Sequence, residues 1–232
     1  MNLTVTMTAY RRPKYTLQVL QSLQACAVPD GVRLSCFIGL EPGVQATKRV
    51  ANQFAASADF PVYVLPRKKR LGLNRNTQDV LTHAYHAGEA SLLHIEDDTV
   101  LSPDALLYYT WALRTHGRRK DVFSIAGYNK PKKQPAFDAV GEREWFTCWG
   151  WAVTRERWKE ILQNWDLSNP RSFAWPVNRK IRKGRLEIYP ELSRVQNIGY
   201  EKGENGRSAA WYRNNHRTPF VASEIREGVW DA

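Results

Sequence analysis

Residues 91–98 read SLLHIEDD, a short apolar run that stops abruptly in Glu96, Asp97 and Asp98. An apolar run of that length suits a buried strand. Three successive carboxylates at its end repel one another unless a cation or hydrogen-bond donors neutralise them. A hard divalent ion, Mn²⁺ or Mg²⁺, suits an all-oxygen set and keeps positions open for water and phosphate. The competing task, capping the next helix, falls to Ser102 and Pro103, a polar residue followed by the residue best tolerated in a first helical turn. The motif therefore predicts a metal–diphosphate site at the end of a strand.

Outward from this stretch, strand and helix patterns alternate. Residues 3–9 alternate with β-branched side chains as a strand does. Pro13 opens a helix with Leu17, Leu20 and Leu23 at helical spacing. Residues 33–40 read as a second strand ending in the turn Glu41-Pro42-Gly43. A helix over 44–56, a short strand over 61–65 and a helix over 74–87 lead to the acidic strand. Such alternation predicts an α/β fold with a mostly parallel sheet flanked by helices. Ligands of these sheets bind beyond the carboxyl ends of the strands, where Arg11, Glu41 and Glu96–Asp98 stand. Neither GxxxxGK[ST] nor a GxGxxG after the first strand is present, so a P-loop kinase and a Rossmann dehydrogenase are disfavoured.

The chain has 232 residues, 43% hydrophobic and 25% charged, a globular composition that excludes a disordered polymer. It suits one sizeable domain with a short appendage. No apolar run approaches the ~18 residues of a membrane span, and MNLTVTMTAY at residues 1–10 lacks a signal-peptide pattern. Cys26, Cys36 and Cys148 have no metal or disulfide spacing. The expectation is a soluble, cytoplasmic protein. The net charge of +11 is clustered: residues 67–75 carry five basic side chains without an acid, 114–133 seven against Asp121, and 171–185 six without an acid. Together with nine tryptophans, such clusters suit a polyanionic partner, namely nucleic acid, an anionic glycan or a membrane surface.

The order strand-AYRRP-helix, strand-GLEPG, LGLNRN-helix, strand-EDD, WFTCWGWAV, YPELSRVQNIG resembles the GT-A glycosyltransferases, in particular N-acetylglucosaminyltransferase I and bacterial family-2-like enzymes. The resemblance runs over most of residues 3–205. It implies a single GT-A domain over 1–205, with a nucleotide-sugar half (1–100), a smaller acceptor half (101–205) and a tail (206–232). It also implies a UDP-sugar donor and roles for matching positions. Tyr10 and Arg11 would grip the nucleotide, Arg11 at the diphosphate. Glu41 and Asn76, with Arg75 beside it, would meet the base. Glu96 and Asp97 would belong to the metal motif, with Asp98 touching the ion. Trp149, Gly150 and Trp151 would line the donor sugar and acceptor, although one of the two tryptophans should face the core. Residues 193–199 would fold over the donor, with Gly199, Gly203 and Gly206 as hinges. His83, His86 and His94 read as structural, and His216 as a candidate phosphate or metal contact.

One position departs from the pattern. An inverting enzyme needs a base for the acceptor hydroxyl, and the family supplies an aspartate shortly before the PELSR strand. Here that place is Phe173-Ala174-Trp175, and Ala174 accepts no proton. Glu144 is the best substitute, with Asp166 behind it. The acceptor is read from charge. A hydroxymethylated base in phage-type DNA, such as 5-hydroxymethylcytosine receiving glucose from UDP-glucose, would combine phosphate contacts with a flipped base. A lipopolysaccharide or capsular glycan at an anionic membrane face is the competing acceptor. Ala174 also raises a different class, a GT-A binding module without catalysis. The intact acidic motif argues against it.

Overall fold

The computed structural model describes residues 1–88, 91–130, 134–169, 172–199, 210, 220–221, 224–226 and 228–230. The strands of the first half are β1 (Asn2–Ala9), β2 (Arg33–Leu40), β3 (Val62–Pro66) and β4 (Ser91–Glu96). Between them lie α1 (Pro13–Gln24), α2 (Gln45–Ser57) and α3 (Leu73–His86). The second half contains β5 (Thr99–Leu101), α4 (Ala105–His116), β6 (Val122–Ala126), β7 (Val140–Arg143), β8 (Trp151–Thr154) and α5 (Arg155–Gln163). It continues through α6 (Ala174–Pro176), a π-helical turn at Val177–Ile181, β9 (Leu186–Pro190) and β10 (Val195–Asn197).

The eight-stranded sheet has the order β3-β2-β1-β4-β8-β6-β9-β7, and β5 pairs with β10 separately. β1 lies parallel to β2 and β4, and β2 parallel to β3. This is the mostly parallel α/β sheet expected from the alternation of elements. β1 and β2 are buried along nearly their whole length because helices cover both faces, which is why they read as unbroken apolar and β-branched runs. Pro13 stands at the first position of α1, where its missing N–H costs nothing, and Val19, Leu20 and Leu23 form the buried stripe. Ser102 and Pro103 precede α4 as expected, but the helix begins at Ala105, and Ser102 donates to the Asp104 side chain at 2.6 Å.

The direction of β8 matters most for function. It runs antiparallel to β4, with Trp151 opposite His94. The chain entering β8 therefore descends along the carboxyl side of β4, where the three acids stand. Trp151 is fully buried against His94, Phe146 and Phe173. We expect Trp151→Ala to cost about 3–5 kcal/mol by cavity formation, measured as a lower urea midpoint.

Trp230 also joins the core. Trp230 packs on Tyr108 and Trp111 and donates to Asp104 at 3.0 Å, while Asp104 pairs with the fully buried Arg194 at 2.7 Å. Residues 193–195 are fully buried, and β10 is bonded to β5. That segment is part of the core rather than a closing flap, which corrects the lid expectation for residues 193–197. Gly203, Gly206 and His216 lie outside the described residues. All three cysteines are free. No helix among the described residues is long and apolar enough to cross a membrane.

Candidate active site

The acids gather at the carboxyl end of β4, against the loop that follows β1. Asp97 and Asp98 are buried and Glu96 is partly exposed. Arg12, at the entrance to α1, spans both aspartates: Nη1 donates to Asp98 Oδ2 at 2.6 Å, and Nη2 is in contact with Asp97 Oδ1. The Tyr10 amide donates to Asp97 Oδ2 at 3.2 Å. From the far side, Asn197 Nδ2 donates to Asp98 Oδ1 at 3.1 Å, and the Ile198 amide donates to the Asp98 carbonyl at 2.8 Å. Gly199 then presses on the same carboxylate, with no room for a Cβ beside the Asp98 side chain.

Three carboxylates against one guanidinium leave an excess of negative charge. Burial, then repulsion by Asp98 and Asp97, pushes the Glu96 carboxyl up to about 8. Burial pushes Asp97 up to about 6 although Arg12 opposes it. Burial works against the Arg12 charge, but Asp98 and Asp97 more than compensate, so its guanidinium is held more firmly protonated than usual. The excess charge and the all-oxygen donor set fit a hard divalent cation. Among the described residues no three His, Cys, Asp or Glu side chains form a ready cage. An ion here would need water and phosphate oxygens to complete its coordination.

The raised carboxyl groups carry a stability consequence. A carboxyl whose pKa is higher folded than unfolded binds its proton more tightly in the folded state, so stability falls as pH rises between the two values. For the metal-free protein we expect a loss on the order of 2–4 kcal/mol from pH 5 to pH 8, because holding one extra proton across one pH unit is worth about 1.4 kcal/mol. Urea titrations at the two pH values measure it. Glu96→Gln should flatten the slope, and Mn²⁺ should stabilise the protein more at pH 8 than at pH 5.

The other expected site residues are distributed differently from the sequence reading. Arg11 is exposed and lies over the Tyr10 ring at 4.6 Å, with Arg70 at 5.0 Å from the same ring; Arg12, one position on, reaches the acids instead. Glu41 is buried and accepts from the amides of Leu71 and Gly72, at 3.0 and 2.8 Å. It holds the loop before α3 rather than presenting a free carboxylate. Asn76 donates to the Gly39 carbonyl at 2.9 Å and accepts from Arg67 Nε at 2.9 Å, so both ends of its amide are engaged; Arg75 is exposed.

Trp149 is partly exposed and meets Tyr128 edge-on at 4.9 Å, whereas Trp151 is core. The expected division between the two tryptophans is present. Gly150 separates them at a φ of +59°, with its carbonyl accepting from Tyr109 at 2.7 Å. A side chain there would be strained and would crowd Tyr109 and Val195. Cys148 is close enough to the acids that burial, then the charge of Glu96, raises its thiol well above the ordinary range.

Asp166 accepts from Lys180 at 2.6 Å and from the Ser168 amide at 2.8 Å, and both bonds hold its carboxyl below the usual range. Tied to Lys180 and the Ser168 amide, the Asp166 carboxylate is less free to take up a proton than an unengaged one. Glu144 is exposed on the segment leading to Cys148. Ala174 starts the short helix α6 and is partly exposed. His94 is fully buried, bonded to Thr6 at 2.9 Å and lowered by burial to about 3, as a structural histidine should be.

The sequence profile of the GNT-I family matches residues 62–220, and the chain belongs to that family. It is 24% identical over 236 aligned residues to an Arabidopsis thaliana alpha-1,3-mannosyl-glycoprotein 2-beta-N-acetylglucosaminyltransferase, covering 95% of this chain and 51% of the relative. The chain thus spans about half the length of that enzyme. Among solved structures, S. aureus TarS 1–349 in complex with UDP-GlcNAc superposes with a TM-score of 0.62 at 13% identity, over 88% of this chain and 60% of that one. The Pyrobaculum calidifontis mannosyltransferase PcManGT in complex with GDP-Man and Mn²⁺ gives 0.57 at 14% identity, over 81% and 54%. The fold is that of the GT-A glycosyltransferases.

Proposed function

We propose that the chain is a metal-dependent glycosyltransferase that moves a sugar from a nucleotide sugar, UDP-linked, to a hydroxyl on a polyanionic acceptor. The observation that carries this reading is the triad of Glu96, Asp97 and Asp98 at the carboxyl end of the central strand, bridged by Arg12. Family membership and the UDP-sugar and GDP-sugar complexes of its structural neighbours support it.

Asp98, with Glu96 and Asp97 around it, would hold Mn²⁺ or Mg²⁺. When bound, the ion supplies a Lewis acid that neutralises the leaving diphosphate. The chain's own residues do the rest. Arg12 orients Asp97 and Asp98 and offers its positive charge at the edge of the diphosphate subsite. Asn197 and the Ile198 amide fix Asp98 so that no reorganisation is needed on donor binding. Glu144 is the proposed base for the acceptor hydroxyl, since it is exposed on the segment that leads into β8 and Asp166 is committed to Lys180. The clustered positive charge would draw the acceptor, making its affinity salt-sensitive.

The test is transfer from a panel of UDP-sugars with Mn²⁺ to DNA containing 5-hydroxymethylcytosine, to matched unmodified DNA and to a lipid-linked glycan extract. Transfer to the modified DNA alone identifies a DNA-modifying enzyme. Transfer to the glycans alone assigns it to lipopolysaccharide or capsule synthesis. Donor binding without transfer to anything supports a binding module, and Ala174→Asp then shows whether an acid at that place restores chemistry.

A further inference from the structure

Among the described residues, Trp145 and Trp175 are two of the most exposed large hydrophobic side chains, 49% and 53% accessible. They come from segments thirty residues apart, yet their ring centroids are 6.3 Å apart at 76°. The Arg179 guanidinium lies 4.7 Å over the Trp175 ring, and among the described residues it has no carboxylate partner. Leaving two indoles in water forfeits the burial that ordinarily holds aromatic rings, so the pair is a surface awaiting a ligand. Trp145 follows Glu144, the proposed base, and Trp175 follows Ala174, the place where the resemblance expects one. Trp145 precedes Cys148 and Trp149 on the stretch that descends along the carboxyl side of β4 into β8.

Building on the glycosyltransferase reading, the geometry points to the Trp145–Trp175 corner as the docking site for the acceptor, an anionic glycan whose pyranose ring lies on the indole and whose carboxylate or phosphate pairs with Arg179. The axial C–H face of a pyranose is apolar and flat, and it matches the negative face of an indole. Two indoles at right angles embrace one ring from a face and an edge, whereas a strand of stacked bases calls for successive parallel platforms. Arg179 adds charge complementarity at the rim, where a planar cation discriminates by hydrogen-bonding geometry.

Calorimetric titration of the full chain with oligogalacturonate, maltohexaose and a single-stranded dT oligonucleotide tests this. Oligogalacturonate should bind, and Trp145→Ala and Trp175→Ala should each weaken it about tenfold or more. Trp175→Phe should recover part of the loss. Arg179→Gln should weaken oligogalacturonate while leaving the weaker maltohexaose binding unchanged. UDP binding and the unfolding temperature should stay at the wild-type values in all of these variants. Absence of oligogalacturonate binding, or wild-type affinity in the tryptophan variants, overturns the assignment. Tighter binding of dT, lost in the same variants, overturns it in favour of nucleic acid. If oligogalacturonate binds as expected but UDP does not bind the wild-type chain, the docking site stands and the glycosyltransferase reading fails.

Discussion

Asp98→Asn should lower sugar transfer by about 10²–10³-fold, the range found when one preorganised electrostatic contributor is removed, with the fold retained. The substitution is isosteric, and the backbone bond from Ile198 to the carbonyl at position 98 does not depend on the side chain. What disappears is the negative charge that Arg12 and a divalent ion would share. Removing it also relieves the repulsion by which Asp98 helps to raise Glu96, offsetting the lost Arg12 contact. Transfer assays with Mn²⁺, run beside thermal unfolding, separate the two effects. Near-complete loss of transfer with an unfolding temperature within a few degrees of wild type is the expected pair of results. A variant as active as wild type would remove Asp98 from the machinery.

Gly199→Ala should damage the same site from behind. A methyl group at this position would overlap the Asp98 carboxylate, and the backbone cannot easily retreat, because the Gly199 amide donates to Asn197 Oδ1 at 3.1 Å. The carboxylate must then leave Arg12 or residues 197–199 must shift. Overpacking of this kind costs about 1–3 kcal/mol, and we expect transfer to fall by about a hundredfold with it. A double variant makes the test specific. If Gly199→Ala acts through Asp98, adding it to Asp98→Asn should cost little further activity, since residues that act together are not additive. Full additivity would mean that the glycine serves some other purpose.

Much of this site is legible in the chain. The apolar run ending in Glu96, Asp97 and Asp98 marks the strand and the acids, because local hydrophobicity and charge repulsion both act on near neighbours. The sequence points to Arg11, whereas the structure puts Arg12 on the acids. The pair Arg11-Arg12 before Pro13 gives no local preference, and only the placement of α1 against β4 decides which guanidinium faces the acids. The proline restricts the backbone of Arg12 but does not say where its side chain points. Glu41 and Asn76 read as free for a nucleobase, yet their partners are Leu71, Gly72, Gly39 and Arg67. Buried polar groups must find partners, and those partners lie up to 37 positions away.

The sequence by itself determined the α/β alternation, the parallel first half, the acidic end of β4 and the absence of an acid at Ala174. These follow from periodicity, residue volume and charge at short range. Tertiary structure alone decided that β8 runs back along β4. It also decided that Arg12 clamps Asp97 and Asp98, that residues 193–197 are core, and that Trp145 meets Trp175. Each of these is a contact between segments far apart in the chain, set by how the helices and strands pack rather than by any local preference.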